Sequence, residues 1–89
     1  MDELEKELLA MICEVCKVAN PGPAAISPAA VLIGPESPLG IDSLDAVEIV
    51  FTVQNRYQVR IDSEETSRQV LTSLHSLADF VRLNRNQEK

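Results

Sequence analysis

Aromatic side chains are scarce in this sequence, which has two phenylalanines, one tyrosine and no tryptophan among its 89 residues. The core must therefore be built from Leu, Ile, Val and Ala side chains. Glycine and proline are absent outside residues 20–40, so most of the chain carries no strong helix breaker. Because a chain of this length is near the lower limit for folding alone, we expect one tightly packed domain over residues 1–89.

Basic residues are also few, with 8 Lys and Arg against 14 Asp and Glu and a formal charge of −6. An acidic domain repels phosphate backbones and anionic membrane surfaces and attracts basic proteins, so no nucleic acid partner is expected. No apolar run is long enough to span a bilayer, and the first residues are acidic where a secretory signal would be basic. The sequence predicts a cytoplasmic monomer without membrane insertion.

The few residues that could carry metal or catalytic chemistry are poorly placed for it. Cys13 and Cys16 form a C-x-x-C pair, but a zinc site requires a second ligand pair and a thioredoxin-type motif requires a preceding strand. We expect both thiols to pack on a helix as small apolar residues. His75, the only histidine, is expected to be a solvated helix residue and has no nucleophile elbow to act with. The sequence therefore predicts no metal site, no catalytic residues and no enzyme.

Apolar residues spaced by three and four predict four helices. Capping residues and the polar C-terminus set their bounds at about 3–18, 42–57, 63–70 (a short third helix) and 73–84, followed by a polar tail over 85–89. Asp2 is the expected cap of the first helix, and Thr72 or Ser73 that of the fourth. The fold class that follows is all-α, a small four-helix bundle with a long first loop.

That first loop, residues 20–40, contains all five prolines and all three glycines of the chain. Loops of this length without secondary structure are uncommon in compact domains and are usually functional or disordered. Apolar residues along it are expected to hold it against the bundle, namely Ile26, Val31, Leu32, Ile33 and Leu39.

The second helix has more apolar residues than one buried face requires. The stripe that is sufficient to bury it consists of Ala46, Ile49, Val50, Val53 and Tyr57. A second stripe consists of Leu44, Val47 and Phe51, with Asp45 and Glu48 beside it. Apolar side chains bordered by carboxylates suit the docking of a basic partner protein. The alternative is a central helix that is buried on most of its sides.

The segment Gly40-Ile41-Asp42-Ser43-Leu44-Asp45 places a serine hydroxyl at the start of that helix, between two carboxylates. On these residues alone, Ser43 could equally be a helix cap or an exposed hydroxyl. With Val47-Glu48-Ile49-Val50 after it, the segment resembles the signature of acyl carrier proteins, and the order of helices is similar over nearly the full chain. In that family the serine of the Asp-Ser-Leu motif carries 4'-phosphopantetheine.

The resemblance implies that Ser43 carries covalent 4'-phosphopantetheine, delivered from coenzyme A by a phosphopantetheinyl transferase. The domain would tether acyl intermediates as thioesters and present them to enzymes of fatty acid, lipid or polyketide-type biosynthesis. Acyl-transferring and acyl-modifying enzymes with basic docking patches are the implied partners, and the implied docking residues are Asp42, Leu44, Asp45, Val47, Glu48, Phe51 and Ile61. Ile49 and Val53 are implied to border a cleft that shelters the acyl chain.

Two other interpretations stay open. A peptidyl or aminoacyl carrier shares the fold and the cofactor, although Ile41 and Asp45 favour the acyl type. An unmodified helical interaction module would use the stripe of Leu44, Val47 and Phe51 without any prosthetic group. The sequence also departs from carriers of general fatty acid synthesis at Arg56 and Arg60, which makes the end of the second helix neutral to basic and suggests a specialised carrier.

Overall fold

A computed structural model describes residues 2–22 and 24–85, and it contains four α-helices connected in sequence. Their bounds are Glu3–Cys16 for α1, Ser43–Tyr57 for α2, Glu64–Val70 for α3 and Leu74–Arg85 for α4. Within the described ranges the β-structure is limited to one isolated bridge between Val31 and Ser73. The all-α, four-helix prediction is confirmed. Arg85, expected in the polar tail, closes α4, and the rest of that tail lies outside the described residues.

The core is aliphatic, as the shortage of aromatic residues predicts. α1 packs against both α2 and α4, and α3 packs against α4. The most deeply buried large side chains are Leu8, Leu9, Met11, Ile12, Ile41, Ile49, Val53, Leu74, Leu77 and Val81. Of the three aromatic residues only Tyr57 is buried, and its hydroxyl donates to Glu7 Oε1 at 2.8 Å, which ties the end of α2 to α1.

Each helix is preceded by a residue whose side chain accepts free amides of the first turn. Asp42 Oδ1 accepts from Leu44 N at 3.1 Å and from Asp45 N at 3.0 Å, so α2 starts at Ser43. Asp2 caps α1 in the same way, Ser63 accepts from Thr66 N in α3, and Ser73 from Ser76 N in α4. Of the two candidates for the fourth cap, the structure selects Ser73.

The long loop lies against the bundle and is tied to the junction between α3 and α4. Leu32 N donates to Thr72 O at 3.1 Å, and His75 N donates to Pro28 O at 2.8 Å. Ile26, Leu32 and Leu39 are buried and Ile33 is half-buried, as expected. Val31 differs, because 44% of it remains exposed.

α1 ends at Cys16, two residues before the expected bound. Lys17 adopts the left-handed conformation, with φ 59° and ψ 45°, and its N–H donates to the carbonyl of Cys13. Val18 N donates to the same carbonyl at 3.0 Å. This local closure ends the helix before the first loop, with its prolines and glycines, is reached.

We expect Lys17→Gly to raise the free energy of unfolding by about 0.5–1 kcal/mol, because glycine adopts the left-handed conformation without a Cβ clash. Urea denaturation measures the change in unfolding free energy, provided that the m-value is the same in the variant and the wild type. Lys6→Gly, at an exposed position inside α1, is the matched control and should lower that free energy by about 1 kcal/mol. A similar loss in both variants would contradict the prediction.

His75 is an exposed helix residue, as expected, but it also makes contacts that the sequence did not indicate. Its ring is more than half exposed, but Nδ1 lies 3.0 Å from Oε2 of the buried Glu5 and Nε2 lies 3.4 Å from Asp79 Oδ2. Arg82 extends the cluster, with ion pairs to Asp2 at 2.6 Å and to Asp79 at 2.9 Å. These contacts join the start of α1 to α4 across a sequence separation that no local pattern reveals.

The cluster makes stability depend on pH. The hydrogen bond to Glu5, followed by the charge of Asp79, raises the pKa of His75 above its ordinary value of 6.5. A raised folded-state pKa means that the stabilisation is complete below pH 6.5 and is lost as pH rises through the higher folded value. The Asp2 N–H, with the His75 hydrogen bond as a lesser cause, lowers the pKa of Glu5, so its contribution is lost in acid.

We therefore expect the stability advantage of the wild type over His75→Gln to be largest near pH 6 and to shrink as the pH rises past neutrality, because the ion pair with Glu5 loses its charge. Denaturant titrations of both proteins at a series of pH values measure this difference. A difference that does not change across that range would show that protonation of His75 contributes nothing.

Candidate functional site

Ser43 is the first residue of α2, and the preceding turn fixes its position. Gly40 has φ 69°, a conformation in which a side chain would be strained, and Asp42 then caps the helix. The Ser43 side chain is exposed, and its hydroxyl makes no hydrogen bond to any residue that the structure describes. Asp42 performs the capping, so the hydroxyl of Ser43 is left available for chemistry.

A cleft of about 690 Å³ opens beside Ser43, between α2 and α3. This volume is typical of small-molecule sites. The residues that line it are Val31, Ile33, Ser43, Ala46, Val47, Val50, Ile61, Ser63, Glu64, Ser67, Arg68, Leu71 and Thr72. The serine hydroxyl is therefore at the wall of a largely apolar cavity, where a group attached to it could turn inward.

The cleft differs in one respect from the expectation. Ile49 and Val53, which were expected to border it, are fully buried in the core and are not part of its wall. The neighbouring positions Ala46 and Val50 take their place, because they lie on the flank of α2 that faces α3. Sequence periodicity located the buried side of α2 but not the direction in which the cavity opens.

The second apolar stripe of α2 is exposed. Leu44 is 77%, Val47 67% and Phe51 66% accessible to solvent. The alternative in which α2 is buried on most of its sides is therefore wrong. Glu48 is exposed beside the stripe, so charge and apolar surface meet as the sequence predicts.

The remaining docking candidates, Asp42, Asp45 and Ile61, fall in two different settings. Asp42 is exposed at the start of α2, and Asp45, half-buried, closes the capping box by accepting from Asp42 N at 3.5 Å. Ile61 is only 8% exposed and lines the cleft, to which Val47 of the exposed stripe also contributes. Arg56 and Arg60 are both exposed and put positive charge beyond the far end of that stripe.

Sequence reasoning missed the polar wall of the cleft, which α3 and its flanks provide. Ser63 and Ser67, and likewise Glu64 and Arg68, are four residues apart and so share one face of the helix. This four-residue spacing was the sequence signal from which a polar face of α3 could have been predicted. It was overlooked because α3 is short and its residues resemble an ordinary solvated face.

Cys13 and Cys16 are free thiols that pack as expected for small apolar residues, Cys13 buried and Cys16 half-buried. Burial raises the pKa of the Cys13 thiol. Burial, and then the charges of nearby carboxylates led by Asp45 and Glu48, raise the pKa of Cys16 to about 11. The end of α1 therefore lies close to the acidic start of α2.

Over residues 2–22 and 24–85, no group of three or more His, Cys, Asp or Glu side chains is arranged to hold a metal ion. Among the helices of those same residues, none combines the length and the apolar character needed to cross a membrane.

Comparison with known families gives one match that spans most of the chain. The family model described as "Phosphopantetheine attachment site" matches residues 6–82. The match includes the turn before α2, the exposed serine, the exposed stripe and both walls of the cleft.

Proposed function

Because the chain belongs to the phosphopantetheine attachment site family, whose members carry 4'-phosphopantetheine covalently, we propose that it is an acyl carrier protein with Ser43 as its point of attachment. The observation that carries the proposal is the exposed hydroxyl of Ser43, which has no partner among the described residues and lines the cleft. The residues present fit the group. A phosphate joined to this hydroxyl would be at the positive end of α2.

The group would supply a terminal thiol on a flexible arm, to which an acyl chain is joined as a thioester. The contribution of the protein is delivery, since partner enzymes carry out the chemistry and tethering raises the local concentration of the acyl chain. The cleft supports this role, because its apolar residues can keep part of a bound chain away from water.

Docking of the transferase and of the acyl enzymes is assigned to the exposed face of α2. The carboxylates of Asp42, Asp45 and Glu48 would steer basic patches, and Leu44, Val47 and Phe51 would bury their apolar surface in the complex. Ile61 would act from within the cleft wall. The positive charges of Arg56 and Arg60 support a specialised partner set, in a fatty acid, lipid or polyketide-type pathway. A cytoplasmic location stays a prediction.

Two residues support an acyl carrier over a peptidyl or aminoacyl carrier. Ile41, 1% exposed, fills the core directly before the motif, and Asp45 adds a carboxylate directly after it. The preference can be tested separately from modification, because a peptidyl carrier would accept an aminoacyl group from an adenylating enzyme and would be poorly used by acyl-transferring enzymes.

Intact mass spectrometry tests the proposal. The protein is incubated with coenzyme A and a broad-specificity phosphopantetheinyl transferase, and a carrier should gain the mass of one phosphopantetheine group. An unchanged mass would instead favour the unmodified helical interaction module, which is the second candidate because its exposed stripe does not depend on any prosthetic group.

A further inference from the structure

The two sides of the cleft differ in chemistry. α2 and the loops contribute aliphatic side chains, among them Val31, Ile33, Val50 and Ile61. The side formed by α3 and its flanks is more polar: besides Leu71, it contributes Ser63, Glu64, Ser67, Arg68 and Thr72. A saturated hydrocarbon gains mainly from the first side, since it cannot form hydrogen bonds with the polar groups of the second.

Several groups on the polar side are already satisfied within the protein. Ser63 Oγ donates to Thr66 Oγ1 at 2.9 Å, and Thr72 Oγ1 donates to Arg68 O at 3.1 Å. Ser67 Oγ makes no hydrogen bond to any side chain or backbone group that the structure describes, and it is half-buried in the cleft wall. Ser67 is therefore the uncommitted hydroxyl of this side.

Arg68 is the second source of free donors. Its guanidinium has five N–H groups, and its contact with a carboxylate is a single ion pair to Glu64 at 3.6 Å. Both side chains are well exposed at the cleft mouth, at 78% and 86%, so the pair is loose. Arg68 can turn a donor toward the cleft at little cost.

Resting on the proposed function, we infer that the cleft favours an acyl chain that carries a neutral oxygen function, a hydroxyl or keto group, over a saturated chain of the same length. The oxygen would accept from Ser67 Oγ or Arg68, and the hydrocarbon part would contact Val50 and Ile61. A terminal carboxylate gains less, because Glu64 places a negative charge at the same rim.

The test loads the full chain with octanoyl and with 3-hydroxyoctanoyl groups from the corresponding acyl-coenzyme A, using the broad-specificity transferase. Thermal unfolding of each loaded form is then measured. We expect the hydroxyacyl form to melt higher than the octanoyl form by about 4 °C, the effect of one net hydrogen bond in a domain of this size. Backbone amide shifts of Ser67 and Arg68 should also differ between the two loaded forms.

Variants test whether the higher melting temperature of the hydroxyacyl form depends on the polar side of the cleft. Arg68→Met and the double variant Ser67→Ala, Arg68→Met should lose the hydroxyacyl advantage while keeping the octanoyl form equally stable or more so. Gln69→Ala is the matched control, because it is an exposed residue of α3 that does not line the cleft, and it should keep the advantage. Arg68→Met alters only an exposed side chain, so its folding is not in question.

The outcomes separate two kinds of failure. If both groups load but the two forms melt together, or if the octanoyl form melts higher, this inference is wrong and the carrier function stands. The same holds if the variants keep the full advantage. If neither group is transferred to the protein, the proposed function is wrong and the inference falls with it.

Discussion

Ser43→Ala is expected to abolish the mass gain that coenzyme A and the transferase produce in the wild-type protein. The substitution removes the hydroxyl that the phosphate would be joined to, and nothing else in the turn can replace it. The fold should be unaffected, because Asp42 and not Ser43 caps α2, and alanine is a good helix former at this exposed position.

Ser67→Ala is the matched control for this result. It removes another hydroxyl from the wall of the same cleft, only partly buried, and should leave the mass gain intact. Circular dichroism of both variants would confirm that the helices persist. A full mass gain in Ser43→Ala would assign the attachment to another side chain and overturn the proposed site, though not the family membership.

Phe51→Asp and Glu48→Lys are expected to slow the modification by about tenfold or more while leaving the fold intact. Phe51 is 66% exposed, so its loss costs little in the free protein, whereas a large aromatic side chain buried at an interface typically contributes more than 1 kcal/mol to binding. Reversal of charge at Glu48 removes attraction for a basic partner and adds repulsion, which lowers the rate of encounter. The initial rate of mass gain at low protein concentration measures both effects.

The chain provides a control for each change. Leu83 is 70% exposed on α4, so Leu83→Asp makes a comparable surface change away from α2. Glu3→Lys reverses an exposed charge at the start of α1, the end opposite to the one that lies near Asp45. Both controls should be modified at the wild-type rate. If the α2 variants are modified as fast as the controls, the exposed stripe is not the docking face for the transferase.

Local signals explain which parts of the fold were predictable. Capping residues such as Asp2 and Asp42 act on amides two and three positions away, so the helix starts could be inferred from the sequence. The buried side of α2 followed from its 3.6-residue periodicity, whereas the exposure of its second stripe was decided only by the structure. The end of α1 did not, because the left-handed Lys17 is neither glycine nor asparagine and so gives no composition signal.

The features that could not be predicted depend on tertiary contacts. The contact between His75 and Glu5 joins residues 70 positions apart, and its existence depends on how α1 lies on α4. The cleft likewise depends on the relative positions of α2 and α3, which is why Ile49 and Val53 were wrongly assigned to its border. Ser43 could be recognised from its motif, whereas its open setting could be recognised only once the helices were assembled.

The raised pKa of Cys16 affects the chemical stability of any acyl thioester that the domain carries. A thiolate near the start of α2 could capture an acyl group from a thioester on the proposed phosphopantetheine arm and so trap it on the protein. With a pKa of about 11, only about one Cys16 side chain in ten thousand is ionised at pH 7, and the thiolate is the reactive form. Burial, with a smaller contribution from the charges of Asp45 and Glu48, therefore keeps Cys16 in its unreactive thiol form and protects a thioester carried by the domain.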